Sequence, residues 1–199
     1  MNPLDLEKFD ALIFDLDGTL ADSMTLHNQA WVDTLASLGC PMTFQILIEY
    51  AGIPNPETIR LFNERFGWTL DPVSVAEQKE ATFLKSAHLI RPIDSVLGIV
   101  RHHHQKKPMA IVTGGTRPLV DVIVGTLEIR PFFKTIVCAE DAPRAKPYPD
   151  PFLLAAQRLG IAPEHCVVFE DGNAGIQAAK TAGMAVIKVA SDFSLTRVH

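Results

Sequence analysis

The chain has 199 residues, 47% hydrophobic and 21% charged, a balance that excludes a disordered protein and leaves room for one large domain or a domain carrying an insertion. Lysines and arginines number 18 against 23 aspartates and glutamates, and the net charge of −5 excludes a broad basic surface for nucleic acid or acidic lipid. Apolar runs too short to span a bilayer, an acidic N-terminus without a secretory pattern, and three scattered cysteines (Cys40, Cys138, Cys166) exclude a membrane protein, a disulfide framework and a zinc site. A cytoplasmic, monomeric protein with no nucleic-acid or membrane partner is expected.

In chain order, the first element is Ala11–Phe14, an apolar run short enough for a buried strand. Asp15 ends it, Asp17 follows, and Gly18 marks a turn. If extended geometry continues through Asp17, both carboxylates point to one side of the strand's carboxyl end. Like charges that close are unfavourable unless a cation or a shared proton intervenes. The plainer alternative is a strand-ending Asp and a turn Asp beside Gly. Leu26, Ala30, Trp31, Leu35 and Leu38 then repeat at helical spacing up to Gly39. Phe44–Ala51 is a short apolar segment closed by Gly52-Ile53-Pro54-Asn55-Pro56. Ile59, Phe62 and Phe66 predict a helix before Gly67, and Pro72–Ala87 a longer one. No core strand is predicted between Asp22 and Leu89, so residues 22–89 read as an all-helical insert between core segments 1–21 and 90–199.

From Arg91 the rhythm changes. Helices are predicted at Ile93–Arg101, Pro118–Leu127, Pro151–Leu159 and Ala174–Ala182. Strands are predicted at Pro108–Thr113, Thr135–Ala139 and His165–Phe169, with Ala185–Val189 as the last. Such alternation predicts an α/β fold with a doubly wound parallel sheet. Ser191–His199 is a polar tail without a predicted element.

An open parallel sheet binds ligands at the carboxyl ends of its strands. Three stretches besides the Asp15/Asp17 pair fall there. Thr113-Gly114-Gly115-Thr116 joins a strand to a helix; its amides and the Thr113 hydroxyl could hold an oxyanion, or simply make a turn. Lys146, between Ala145 and Pro147, is either a solvated loop lysine or a point charge for a phosphate on a stiffened loop. Glu170 and Asp171 end a strand before Gly172. They are either a helix-start acid pair or, facing Asp15 and Asp17, part of a four-carboxylate site for a hard divalent cation such as Mg²⁺.

In order and spacing these four stretches resemble the motifs of the haloacid dehalogenase-like superfamily. Asp15-Leu-Asp17-Gly-Thr19 matches the first motif, Thr113 the second, Lys146 with Pro147 the third, and Glu170-Asp171 the fourth. The helical insert resembles the cap of the β-phosphoglucomutase-like branch. The resemblance implies a Rossmann-like core and a Mg²⁺-dependent phosphatase of small sugar phosphates. Asp15 would be the nucleophile, forming an aspartyl-phosphate, and Asp17 the general acid and base. Asp15, the Asp17 carbonyl and Asp171 would bind Mg²⁺ with Glu170 assisting, while Thr113, Gly114 and Lys146 would hold the phosphoryl oxygens. His27, Trp31, Gly52, Asn55 and Lys79 would face the sugar from the cap. Of these, His27 and Lys79 could equally be polar-face helix residues and Trp31 a core residue. His102-His103-His104 carries no metal expectation, because adjacent histidines on a helix diverge. One alternative is β-phosphoglucomutase itself, interconverting β-glucose 1-phosphate and glucose 6-phosphate. In that branch an arginine near the cap glycine holds a second phosphate, and here Asn55 stands in its place. The other alternative, a non-enzymatic phosphoacceptor or binding domain, fits less well, because the insert follows the first strand.

Overall fold

Four consecutive apolar residues make Ala11–Phe14 a strand that needs cover on both faces. In the computed structural model, which describes residues 4–50 and 53–198, this strand, β1, lies in the middle of a six-stranded sheet. The other elements follow in chain order: β2 (Ala21–Asp22), α1 (Met24–Ser37), α2 (Phe44–Ile48), α3 (Asn55–Phe66), α4 (Pro72–Leu84), β3 (Arg91–Pro92), α5 (Asp94–His103) and β4 (Met109–Val112). Then come α6 (Arg117–Thr126), β5 (Thr135–Val137), α7 (Asp150–Leu159), β6 (Cys166–Glu170), α8 (Asn173–Thr181), β7 (Ala185–Val189) and β8 (Leu195–Val198). The sheet order is β5-β4-β1-β6-β7-β8, parallel except for the β7–β8 pair. Among the described residues no helix is long and apolar enough to cross a membrane.

Period-two alternation divides the strand residues between two buried layers. Leu12, Phe14, Ile111, Val167 and Phe169 enter one, packed against Val96, Val100 and Ile123 of α5 and α6. Ala11, Ile13, Ala110, Val112 and Val168 enter the other, with Phe152, Ala155, Ala178 and Ala179 of α7 and α8. Cys138 and Cys166 are buried in these layers, and burial pushes both thiols up to about 11, so they are inert packing residues. The chain leaves β1 for β4 on one side and β6 on the other. That reversal opens a crevice at the strands' carboxyl ends.

The helices α1 to α4 have a small core of their own, built from Trp31, Leu35, Leu47, Ile59, Phe62 and Val75. Local signals set their ends. Asp71 caps α4 by accepting from the Ser74 amide at 2.8 Å, with Pro72 in the first turn. Gly67, at φ 70°, closes α3 in the left-handed conformation. Two expectations need correction, and one element is new. Ala185–Val189 is not the last strand, because Leu195–Val198 pairs antiparallel with it through main-chain bonds that its mixed side chains do not advertise. Helix α4 stops at Leu84, a separate 3₁₀ turn taking Ala87–Leu89. The two-residue ribbon β2–β3, pairing Ala21 with Pro92 and Asp22 with Arg91, was not predicted; it stands at both junctions between the helices and the sheet.

Candidate active site

Asp15, Thr113 and Glu170 follow or end the adjacent strands β1, β4 and β6, so the sheet itself brings them together. All three are buried. Lys146 arrives from the segment between β5 and α7. Its Nζ donates to Asp15 Oδ1 at 2.7 Å, to Glu170 Oε2 at 2.7 Å and to the Val112 carbonyl at 3.1 Å. The side chain is only 7% exposed, which removes the solvated-lysine alternative. The two carboxylates hold the ammonium well above its ordinary pKa despite burial.

One ligand oxygen each of Asp15, Glu170 and Asp171 lies within 4.8 Å of the others, the one cluster of its kind among the described residues. Burial, and then the charge of Asp15, push Glu170 up to about 8 and Asp171 up to about 7. Asp15 is raised as well, burial outweighing Lys146. Three carboxylates crowded together, whose mutual repulsion a cation would offset and which it would hold ionised, fit a hard divalent ion such as Mg²⁺. Two glycines make room for these side chains. A Cβ on Gly175 would stand 2.0 Å from Glu170 Oε2, which Lys146 holds in place, and one on Gly18, at φ 83°, 2.3 Å from Asp171 Oδ2.

The Asp17 carboxylate turns away from that cluster. Its Oδ1 accepts from Ser23 Oγ at 2.6 Å and from His27 Nε2 at 3.0 Å. Lys79 Nζ stands 2.6 Å from His27 Nδ1. An ammonium has no acceptor, so Nδ1 accepts from Lys79 and Nε2–H donates to Asp17 in a neutral imidazole. Burial and the Lys79 charge hold His27 below its ordinary pKa. Burial raises Asp17, but His27, Ser23 and Lys79 together bring it below the usual carboxylate value. Lys79 is 2% exposed, among Trp31 and Phe83, whose rings lie 5.5 and 5.4 Å from Nζ. Burial lowers it to about 8. The solvated-helix alternatives for His27 and Lys79 therefore fall away. Trp31 satisfies both of its alternatives, being a core residue that also lines the cavity.

These groups enclose a cavity of about 130 Å³ between the sheet and the helices, also lined by Gly114, Tyr50 and Asn55. Four carboxylates (Asp15, Asp17, Glu170, Asp171) face it against two lysines (Lys79, Lys146), so an anion is repelled until a cation joins them. One detail departs from the sequence reading. The Gly115 amide already donates to Thr113 Oγ1 at 3.0 Å, which leaves Gly114 as the glycine amide without that tie. Gly52 lies outside the described residues. Of the three adjacent histidines, His103 is buried with no hydrogen-bond partner on Nδ1, and none joins the carboxylate cluster. The sequence reading missed Ser23, although its position just before α1 is a signal for a local hydrogen bond. It also missed Gly18 and Gly175 as spacers.

A family model described as haloacid dehalogenase-like hydrolase matches residues 9–183. The chain is 36% identical over 184 residues to fructose-1-phosphate phosphatase YqaB of Escherichia coli K12, a match covering 92% of this chain and 97% of that protein. It is 31% identical over 193 residues to hexitol phosphatase A of the same organism, covering 94% of this chain and 86% of the relative. A crystal structure of β-phosphoglucomutase from Clostridium difficile shares the fold, with a TM-score of 0.76 at 23% identity over 90% of this chain and 84% of that one.

Proposed function

The chain belongs to the haloacid dehalogenase-like hydrolases, and from that premise we propose that it is a Mg²⁺-dependent phosphatase of small sugar phosphates that works through an aspartyl-phosphate on Asp15. The observation that carries the proposal is the convergence of Lys146 on both Asp15 and Glu170 at the ends of adjacent strands. A buried carboxylate fixed by a lysine beside an oxyanion-binding turn is a nucleophile in a phosphoryl-transfer site.

Helices α1 to α4 serve as the cap. Asp15, Asp171, the Asp17 carbonyl and Glu170 would hold the ion, which offsets the charge of the phosphate and of the attacking carboxylate. An oxygen of Asp15 forms a bond to phosphorus as the ester P–O bond breaks, and Asp17 gives its proton to the departing sugar oxygen. A phosphate dianion close by raises Asp17 and supplies the condition under which it carries that proton. Asp17 then takes a proton from water, whose oxygen attacks the phosphorus, releases phosphate and frees Asp15. Thr113, Gly114 and Lys146 hold the phosphoryl oxygens throughout, and His27, Trp31, Asn55 and Lys79 face the sugar.

Two observations favour water over a second sugar as the acceptor. Asn55, where the mutase arginine would fall, is engaged with Glu80 at 3.2 Å, and Arg60 is paired on the surface with Glu57 at 2.7 Å. Neither is a free cation for a distal phosphate. A panel of sugar phosphates with Mg²⁺, read as phosphate release, tests the proposal. β-Glucose 1-phosphate with catalytic glucose 1,6-bisphosphate tests the mutase alternative. Glucose 6-phosphate forming faster than phosphate from any monophosphate would overturn the phosphatase reading.

The ion should be visible in stability as well as in rate. Glu170 and Asp171 have folded pKa values above their unfolded ones, so without metal the native state holds protons that the unfolded chain has released. Metal-free stability therefore falls as pH rises from about 4.5 through about 8. Mg²⁺ should raise the melting temperature more at pH 8 than at pH 6, and Asp171→Ala should lose that increment. Chelation that changes neither melting temperature nor turnover would remove the ion.

Lys79 carries a second expected result. Its folded pKa of about 8 lies below the unfolded value of 10.5, so the unfolded chain binds more protons between those values and stability rises with pH there. The cost of the buried charge is fully present below pH 8, about 3 kcal/mol at 1.36 kcal/mol per unit. Lys79→Met removes that cost but leaves His27 Nδ1 without its donor, which costs about 1–2 kcal/mol. The variant should be more stable at pH 7 by roughly 1–2 kcal/mol in a urea melt, while kcat/KM falls about tenfold or more. A less stable variant with unchanged kinetics would contradict both statements.

A further inference from the structure

Helix α1 turns one face to the cavity. Met24, His27, Asn28 and Trp31 follow one another at three- and four-residue helical spacing, and all four line it. Met24 is apolar, His27 is tied to Asp17 and Lys79, and Trp31 belongs to the core of the helices. Asn28 has no such tie. It is half-buried, and its side-chain amide has no hydrogen-bond partner among the described residues. The other neutral polar side chains of the wall are engaged. The Tyr50 hydroxyl accepts from Arg65 at 3.0 Å, Asn55 donates to Glu80 at 3.2 Å, and the Thr113 hydroxyl accepts from the Gly115 amide at 3.0 Å. The place of Asn28 is also informative. His27, the residue before it, donates to Asp17, whose proton goes to the departing sugar oxygen, so this face of α1 lies on the side of the leaving group.

Resting on the sugar-phosphate reading, we propose that Asn28 is a specificity-determining residue, which binds a hydroxyl group of the departing sugar. A carboxamide both donates and accepts, and so does a hydroxyl, so the two groups match. The amide carries no charge, so it favours a hydroxylated leaving group without attracting a second anionic one. A ligand with no hydroxyl at that point shuts water away from the amide and leaves it unpaired. The same group therefore discriminates as well as binds.

The test measures binding, with Asp15→Asn as background so that ligands are not turned over. Fructose 1-phosphate, glucose 6-phosphate and inorganic phosphate are titrated calorimetrically in the presence of Mg²⁺. Inorganic phosphate fills the phosphoryl site but carries no sugar, and its binding reports that each variant is folded. The parent should bind at least one of the sugar phosphates more tightly than inorganic phosphate. Asn28→Leu removes the amide with little change of shape and should cut that preference about tenfold. Asn28→Ala, which cannot crowd the cavity, should cut it to a similar extent. A preference that survives in either variant overturns the role of Asn28 alone, since survival in Asn28→Ala would make the effect of leucine a steric one. A parent that binds inorganic phosphate but prefers neither sugar phosphate overturns the sugar-phosphate reading and this inference with it.

Discussion

Asp15→Asn should reduce phosphate release by on the order of ten-thousandfold or more while leaving the fold intact. The amide matches the carboxylate in shape but lacks the anionic oxygen that attacks phosphorus, and no neighbour can replace it. Glu170 is tied to Lys146 and to the Gly172 amide, and the Asp17 carboxylate is turned toward Ser23 and His27. Stability should change little. Burial already raises Asp15, so removing its charge relieves repulsion with Asp17 even as Lys146 loses a partner. Unchanged melting together with lost turnover therefore separates a chemical defect from a folding one. Substantial residual turnover in pure variant would place the nucleophile elsewhere.

Lys146→Met should be the most destabilising single change at the site, by about 3–5 kcal/mol at pH 8 without Mg²⁺. The side chains of Lys146, Asp15 and Glu170 are 7%, 9% and 4% exposed. Removing the ammonium leaves two carboxylates with neither water nor a counter-charge. They escape by protonation, so the cost should shrink as pH falls toward 5. In the variant both acids have folded pKa values further above their unfolded ones. The native state then binds more protons than the unfolded chain, and stability falls as pH rises. The native lysine behaves consistently with this: its raised pKa contributes stability present below pH 10.5 and lost only as pH passes its folded value. Denaturation at pH 5 and pH 8 measures the difference. Equal stability of variant and parent at pH 8 would show that Lys146 is a phosphate ligand without a structural part.

The strand-end acids were legible because two independent patterns coincide on them. Apolar runs at Ala11–Phe14 and Val167–Phe169 announce buried strands, and an acid where each run ends must then lie at the sheet's carboxyl edge. Lys146 was legible only through its motif, since nothing in Ala145-Lys146-Pro147 reports that the loop carries it over β1. The helical insert resisted reading for another reason. In α4 the run Glu77-Gln78-Lys79-Glu80 has charges on successive faces, so spacing does not say which is buried. Tertiary packing decides: Lys79 goes among Trp31, His27 and Phe83, and Glu80 goes to the side chains of Asn55 and Thr116. The Thr113 hydroxyl looked like an oxyanion donor, yet its oxygen also accepts from Gly115, a local bond that competes invisibly in sequence. Strand β8 stayed hidden because Leu195-Thr196-Arg197-Val198 is only partly buried at a sheet edge, where pairing depends on backbone rather than side chains.

The covalent step can be observed directly. The protein is mixed with Mg²⁺ and excess fructose 1-phosphate, or whichever monophosphate releases phosphate fastest, then quenched in acid during turnover, digested and examined by mass spectrometry. A phosphoryl group should appear on the peptide containing Asp15 and be absent from Asp15→Asn. Turnover with no phosphorylated peptide at any quench time, or a phosphoryl group on another residue, would contradict a mechanism through Asp15.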